Sequence, residues 1–134
     1  MIPEGIAKYH DLGLLILRLG IGAMFIAHGL PKMMGGVPVW KGLGHAMSVV
    51  GVFFAPEFWG FMAAFAEVFG GISLITGIFF VPFSALLAFE MVIATCMHLS
   101  KGDGFLVSSH AIEAAILFFS LIFIGPGKYV LLRI

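Results

Sequence analysis

Cysteine and charged residues are the scarcest components of this sequence. Cys96 is the only cysteine among 134 residues, so the chain has no internal disulfide and no Cys-x-x-Cys redox pair. Charged residues make up 10%, whereas a typical soluble domain has about a quarter. The formal net charge is zero, which argues against nucleic-acid binding and against a polybasic surface for lipid headgroups.

The first residues lack the basic start and the cleavage site of a secretory signal peptide. Residues 1–11 are polar and mixed in charge. We therefore expect the apolar run that follows them to remain as a membrane helix. Hydrophobic residues make up 61% of the chain, so most of its surface must face lipid or other lipid-embedded helices.

Four apolar runs are long enough, or nearly so, for a helix to cross the ~30 Å of hydrocarbon in a bilayer. They cover about 12–30, 59–79, 82–99 and 109–124. Gly29 and Pro31 predict the end of the first helix, and the Gly-Pro-Gly at 125–127 predicts the end of the fourth. The long connection 31–58 contains an apolar stretch, 45–54, that is too short to span. The sequence predicts one all-α domain, an integral membrane antiparallel four-helix bundle with a short interfacial helix in its first loop.

Four spans place both chain termini on one side of the membrane, called side A here, and the long first loop on the opposite side B. Lysine and arginine residues near the two sides are equal in number. Side A has Lys8, Lys128 and Arg133, and side B has Lys32, Lys41 and Lys101. The positive-inside rule therefore does not orient the chain.

Glu67 is a single carboxylate in the second apolar run, and small residues flank it at helical spacing. They are Gly60, Ala63, Ala64, Gly70, Gly71 and Gly77. On a helix they form a stripe on the Glu67 face, and such stripes allow close helix packing in membranes. Because a charge inside a membrane is costly, we expect Glu67 to face inward. Its polar partner should come from the first, third or fourth span.

Depth along the helices divides the other ionisable residues into two sets. Arg18 lies roughly 9 Å from side A and Glu90 about 12 Å, at ~1.5 Å of rise per residue. With Glu67 they predict a buried charge set. A second set within roughly 6 Å of side B consists of His28, His98, His110 and Glu113. Zinc or iron on this second set is a minor alternative, and no metal site is assigned because the spacing matches no known motif.

Structural readings of these residues stay open beside the functional ones. Arg18 could reach the surface on side A with its long side chain. Glu67 could be a structural acid that is bonded to Arg18 or to a backbone group. Each histidine, taken singly, could be an ordinary interfacial residue.

Several short motifs, taken in chain order, resemble the DoxX family of small four-helix membrane proteins. They are Leu17-Arg18-Leu19-Gly20, Phe25, His28-Gly29, Lys32, Ala66-Glu67, Gly70-Gly71, Leu74, Gly77, His98, Glu113 and the closing Gly125-Pro126-Gly127-Lys128-Tyr129. The family's closing motif has Arg where this chain has Lys128, and it often continues with Ser and Asp. Here the apolar residues 130–132 follow instead.

The resemblance implies a role in membrane redox chemistry. Members are linked to quinone reduction in thiosulfate oxidation and to oxidoreductase complexes that handle thiols and superoxide. The leading hypothesis is a subunit of a quinone-linked or thiol-linked redox system in the bacterial cytoplasmic membrane. The chain has no haem, flavin or dithiol motif. Electrons must then come from other protein subunits, which would dock on the long first loop.

A bound quinone needs an apolar slot, polar groups at its two carbonyls and a route for protons. The candidate catalytic residues are Glu67, His98 and Glu113. The candidate cofactor-binding residues are Arg18, His28, Phe65, Phe69, Glu90 and His110. In this hypothesis a histidine donates to a quinone carbonyl, the two catalytic glutamates relay protons, and the two phenylalanines flank the ring.

Two further hypotheses compete with the redox subunit. In the first, the chain is a non-catalytic structural or anchoring subunit, and the buried ions hold its helices together. In the second, it is a small proton or solute pathway, because acids and histidines in series suit such a role. Four spans leave little room for alternating access, and the sequence has no inverted repeat.

Overall fold

The computed structural model describes all 134 residues, and every regular element in it is a helix. The elements are α1 (Glu4–Ala7), α2 (His10–Met34), α3 (Val37–Gly44), a 3-10 helix (His45–Val50), α4 (Pro56–Thr76), α5 (Phe80–Ser100) and α6 (Gly104–Ile124). Four of them, α2, α4, α5 and α6, are long and apolar enough to cross a membrane. The predicted all-α membrane bundle is confirmed.

The first spanning helix is longer than the sequence predicts, because it continues through Pro31 to Met34. The last carbonyls of a helix have no partner within the helix. Here the indole Nε1 of Trp40 donates to the carbonyls of Lys32 and Met33 at 3.1 and 3.2 Å. This bond supports the final turn beyond Pro31, so the predicted stop is wrong and Lys32 is helical.

The fourth spanning helix also differs from the prediction, because it begins at Gly104 instead of residue 109. Gly102, in the turn before the helix, and Gly104, its first residue, both have positive φ angles, which glycine adopts without strain. As a result Glu113 lies about 14 Å into α6. It is much deeper than the roughly 6 Å that the predicted helix start gives.

The first loop folds back onto the side B end of α4. The short helix predicted at 45–54 is present in part, as the 3-10 helix at His45–Val50, and α3 precedes it. Gly44 packs against the backbone of Pro56, and Gly60 packs against the backbone of Trp40. A Cβ at either glycine would overlap a carbonyl group, so this contact between α3 and α4 requires glycine at both positions.

The backbones of α2 and α4 are also in close contact. A Cβ at Gly22 would lie 2.7 Å from the carbonyl oxygen of Gly71, and one at Gly71 would lie 2.5 Å from that of Gly22. Gly60, Ala64, Gly70 and Gly71 of the predicted small-residue stripe are buried. The stripe therefore faces the bundle, as the sequence predicts.

The spanning helices pack in the order α2, α4, α5, α6. Helices α2 and α6 meet through side chains, as in the edge-to-face pair of Phe25 and Phe118, whose ring centroids are 4.9 Å apart. The buried apolar core consists of Leu14, Leu74, Phe80, Leu87, Ala88, Phe118 and Leu121. Much of this core belongs to the side A half of the bundle, which leaves the side B half for polar residues.

Candidate functional site

Glu67 faces the interior of the bundle and forms an ion pair with Lys32. It is 4% exposed, and its Oε1 and Oε2 lie 2.8 and 3.1 Å from the Lys32 Nζ. The expected inward orientation is confirmed, and the polar partner, which was expected from the first, third or fourth span, comes from the first. The sequence did not assign Lys32 to the site, because the predicted helix ended before it.

Gly29 allows Glu67 and Lys32 to meet. A Cβ at Gly29 would lie 2.6 Å from the Cβ of Glu67, so α2 touches α4 at the level of this acid. Lys32 follows Gly29 by three residues and therefore lies on the same face of α2. It is in the last turn of the helix, and its amine reaches Glu67 near the middle of α4.

Glu90, near the middle of α5, is the third member of this group. Its carboxyl group is near enough to the Glu67 carboxyl and the Lys32 ammonium to interact electrostatically with both. The Oε2 atom of Glu90 is buried and has no hydrogen-bond partner. Lys32 supplies one positive charge, so the group is neutral when Glu67 and Glu90 share a single proton. We call these three residues the polar triad.

The polar triad lies in the wall of a cavity of about 460 Å³, here called the triad cavity. Its volume is within the roughly 300–1,000 Å³ that is usual for small-molecule sites. Residues of α4, α5 and the folded first loop line it, together with Lys32 of α2. Its apolar lining includes Leu43, Met47, Met62, Met91, Ile93 and Met97. Trp59 also lines the cavity, and its Nε1 is buried without a hydrogen-bond partner.

Arg18 is not part of this site. It is fully buried, and its guanidinium donates to four backbone carbonyls. The acceptors are Leu74 O (2.7 Å), Ile75 O (3.0 Å), Pro126 O (2.8 Å) and Tyr129 O (2.6 Å). The predicted charge set of Arg18 with Glu67 and Glu90 is therefore wrong. The guanidinium instead binds orphan carbonyls at the end of α4 and joins them to the C-terminal segment.

The predicted set of histidines and glutamate near side B does not assemble in the triad cavity. Only His98 lines it, and the His98 Nδ1 lies 2.8 Å from Asp103 Oδ2. His28, His110 and Glu113 are exposed on the surfaces of α2 and α6. No three side chains of His, Cys, Asp or Glu lie together in a way that could hold a metal ion.

Comparison with known families supports the resemblance that the motifs indicate. The family model for DoxX matches residues 13–100. This chain belongs to the DoxX family. The matched segment of this DoxX protein includes Arg18 and the whole polar triad, whereas α6 and the closing motif at 125–129 lie outside it. No curated protein and no solved structure matched the chain.

Phe65 and Phe69 of this DoxX protein lie outside the triad cavity. Their rings stack on each other along α4, with centroids 4.5 Å apart. The aromatic residues that line the cavity are Phe58, Trp59 and Phe89. Trp59 could have been found from the sequence, because it lies eight residues before Glu67 and therefore at the edge of the same helix face, about 80° around α4.

Proposed function

We propose that this DoxX protein is the quinone-binding subunit of a membrane redox system and that the quinone ring occupies the triad cavity. One observation carries the proposal. Trp59 and Glu90 both line the cavity, and each has a buried polar atom, Trp59 Nε1 and Glu90 Oε2, without a hydrogen-bond partner in the protein. Buried polar groups are normally paired, so two orphans in one cavity indicate a ligand that pairs with both.

A quinone ring matches this chemistry. Its two carbonyl oxygens accept hydrogen bonds, and its flat apolar faces suit walls of methionine and aromatic side chains. The Trp59 N–H donates to one carbonyl. The Glu90 carboxyl, when it carries the shared proton, donates to the other. A quinone is apolar apart from its two carbonyl oxygens. This composition matches a cavity whose lining is mostly apolar and includes a few polar groups.

The reaction consumes two electrons and two protons for each quinone that is reduced to the quinol. A partner subunit supplies the electrons by oxidising two thiols to a disulfide, which also releases two protons. The sum is two thiols and one quinone giving one disulfide and one quinol. The polar triad holds one proton beside the ring, and His98, partly exposed at the side B end of the cavity, connects the cavity with protons from water.

A second candidate is a non-catalytic anchoring subunit, and the bonding of Arg18 favours it. All four of the Arg18 hydrogen bonds join elements of the fold, and none points toward a ligand. This reading predicts that Glu67→Gln and Glu90→Gln alter folding or assembly without any effect on quinone binding.

Quinone binding to the purified protein in lipid nanodiscs tests the proposal. Trp59→Phe removes one neutral hydrogen bond, worth about 0.5–1.5 kcal/mol, so binding should weaken by roughly two- to tenfold. Glu90→Leu should weaken it as well, because leucine has no hydrogen-bond donor. Glu113→Gln is the matched control, since this glutamate lies outside the cavity. A wild-type protein that binds no quinone would reject the proposal.

A further inference from the structure

The turn between α5 and α6 joins Asp103 to His98 by two bonds. The backbone N–H of Asp103 donates to the carbonyl of His98 at 3.1 Å, and Asp103 Oδ2 lies 2.8 Å from Nδ1 of the His98 ring. Gly102 and Gly104, which flank Asp103 in the chain, both have positive φ angles. The Gly-Asp-Gly sequence therefore folds the carboxylate back onto the last turn of α5.

Asp103 occupies a position at which its side chain would normally cap a helix. It precedes Gly104, the first residue of α6, and aspartate is among the residues that are preferred at this N-cap position. Its side chain nevertheless makes no capping bond to the helix. The carboxylate binds the His98 ring instead, and Lys101 forms no ion pair with it. The role of this carboxylate therefore concerns the histidine and not the start of α6.

The bond determines which nitrogen of the neutral His98 ring carries the proton. An ionised carboxylate only accepts hydrogen bonds, so Nδ1 must be the donor, and Nε2 then has a free lone pair. Nε2 makes no hydrogen bond in the protein, and the ring lines the triad cavity. The His98 side chain is also 38% exposed. The ring is therefore in contact both with water at side B and with the cavity.

We propose that Asp103 is a positioning residue for His98 and that this pair admits protons to the triad cavity at side B. The Asp103 carboxylate holds the Nδ1 proton and stabilises the ring when it is positively charged. Nε2 accepts a proton from water and releases it toward the carboxylates of the polar triad, after which the ring is neutral again. His98 and Glu90 are eight residues apart on α5, about 12 Å, so water carries the proton between them. The inference rests on the proposed function for the use of these protons, which is the reduction of the quinone.

Nitrogen-15 NMR of the full-length, histidine-labelled protein in lipid nanodiscs tests the positioning. The neutral His98 ring of the wild type should carry its proton on Nδ1, and His98→Leu assigns its signals. Asp103→Leu removes the acceptor, so the proton should spread over both ring nitrogens. Glu57→Leu is the matched control, because it removes an exposed carboxylate of side B that does not line the cavity. A wild-type His98 ring with its proton on Nε2 would overturn the inference.

Exchange of the carboxyl proton of the polar triad for deuterium tests the proton route without any quinone. Infrared spectroscopy follows this exchange at the C=O band of the protonated carboxyl group. Positioned acid–base groups accelerate proton transfer strongly, so we expect His98→Leu and Asp103→Leu each to slow the exchange by roughly tenfold or more. The double variant should be no slower than His98→Leu, because Asp103 acts through the ring. Glu57→Leu should exchange at the wild-type rate.

The direction of the change separates positioning from a structural role. If Asp103 only holds the turn together, its loss opens the side B end of the cavity, and exchange that is faster or unchanged overturns the inference. Asp103→Asn, which keeps the shape but loses the charge, should also slow the exchange, and thermal unfolding of each variant reports on the fold. A wild-type protein that binds no quinone but shows the expected exchange rates would reject the proposed function and leave the proton route standing.

Discussion

Arg18 shows how one buried cation can be stabilised without a carboxylate. Its guanidinium has five N–H donors, and the structure gives them four carbonyl acceptors from two parts of the chain. The face of Phe80 lies 5.8 Å from the guanidinium carbon and adds a cation–π contact. Arg18 therefore connects α2, the end of α4 and the C-terminal segment.

Arg18→Lys should lower the stability of the bundle even though the charge is retained. An ammonium group has three donors and lacks the planar fork, so it cannot reach all four carbonyls. The loss of one charge-assisted hydrogen bond costs about 1.5–3 kcal/mol. Unfolding in mixed micelles, followed by circular dichroism, measures this difference. An unchanged free energy of unfolding would show that the carbonyl bonds contribute nothing.

The Lys32–Glu67 pair gives a second prediction. The double variant Lys32→Met/Glu67→Gln should be more stable than the single variant Lys32→Met. Lys32→Met leaves a buried carboxylate without its cation. The loss should be below the roughly 3–5 kcal/mol of fully buried pairs, because the Lys32 side chain is 36% exposed. Adding Glu67→Gln should restore part of the lost free energy of unfolding. Additive effects in this double-mutant cycle would contradict the pairing.

The sequence alone predicts that this site contains a buried charge, but it does not identify all of the residues that form the site. Glu67 is a lone acid in an apolar run, so its inward orientation follows from the cost of burying charge. Lys32 was missed because Pro31 is a strong local stop signal. The contact that overrides that signal is the Trp40 indole bond, which joins residues that only the folded loop brings together.

At the scale of elements, the contact between α2 and α4 depends on glycine at defined positions. Gly22 and Gly71 face each other across this contact, whereas a Cβ added at Gly20 of α2 would have no neighbour within 4 Å. Two glycines of the same helix, two residues apart, therefore have different roles. The sequence predicts the stripe on α4 from its spacing, but it does not show which glycines of α2 meet it.

Gly22→Ala should destabilise the protein, whereas Gly20→Ala should not. The added methyl group at position 22 would overlap the Gly71 carbonyl oxygen and the Ile75 side chain, which forces the two helices apart. Overpacking of this kind costs about 1–3 kcal/mol. At position 20 the same change should be neutral or stabilise the helix by up to about 1 kcal/mol. Equal melting temperatures for the two variants would contradict the close contact.

The ends of the helices were predicted to within a few residues where the length of an apolar run determines them. The prediction was less accurate where a turn determines the end of a helix. The four spans follow from hydrophobic length, which the bilayer dictates. The start of α6 was missed because the turn at Gly102, where φ is positive, lets the helix begin as early as Gly104. Because of this shift, the exposed Glu113 lies deep within the membrane-spanning part of α6 and not near its end.

At the scale of the whole molecule, α6 has ionisable residues on an outer surface within the membrane. His110 and Glu113 are exposed and lie three residues apart, so they are on the same side of the helix. Ionisable groups inside a membrane almost always face a protein interior or a water-filled cavity. The single chain provides neither for Glu113. We therefore expect another polypeptide to cover this surface in the native assembly, in agreement with the proposed role as one subunit of a larger system.

Glu113→Leu should release that partner while it leaves the bundle intact. Leucine removes the group that a neighbouring polar side chain would pair with, and it suits lipid contact once the partner is gone. Phe119→Leu is the control, because it changes an apolar exposed residue of the same helix. Proteins that co-purify from the native membrane in mild detergent are identified by mass spectrometry for both variants. If Glu113→Leu keeps the same set of partners as the wild type, this surface of α6 is not the docking site, and the folded first loop becomes the remaining candidate.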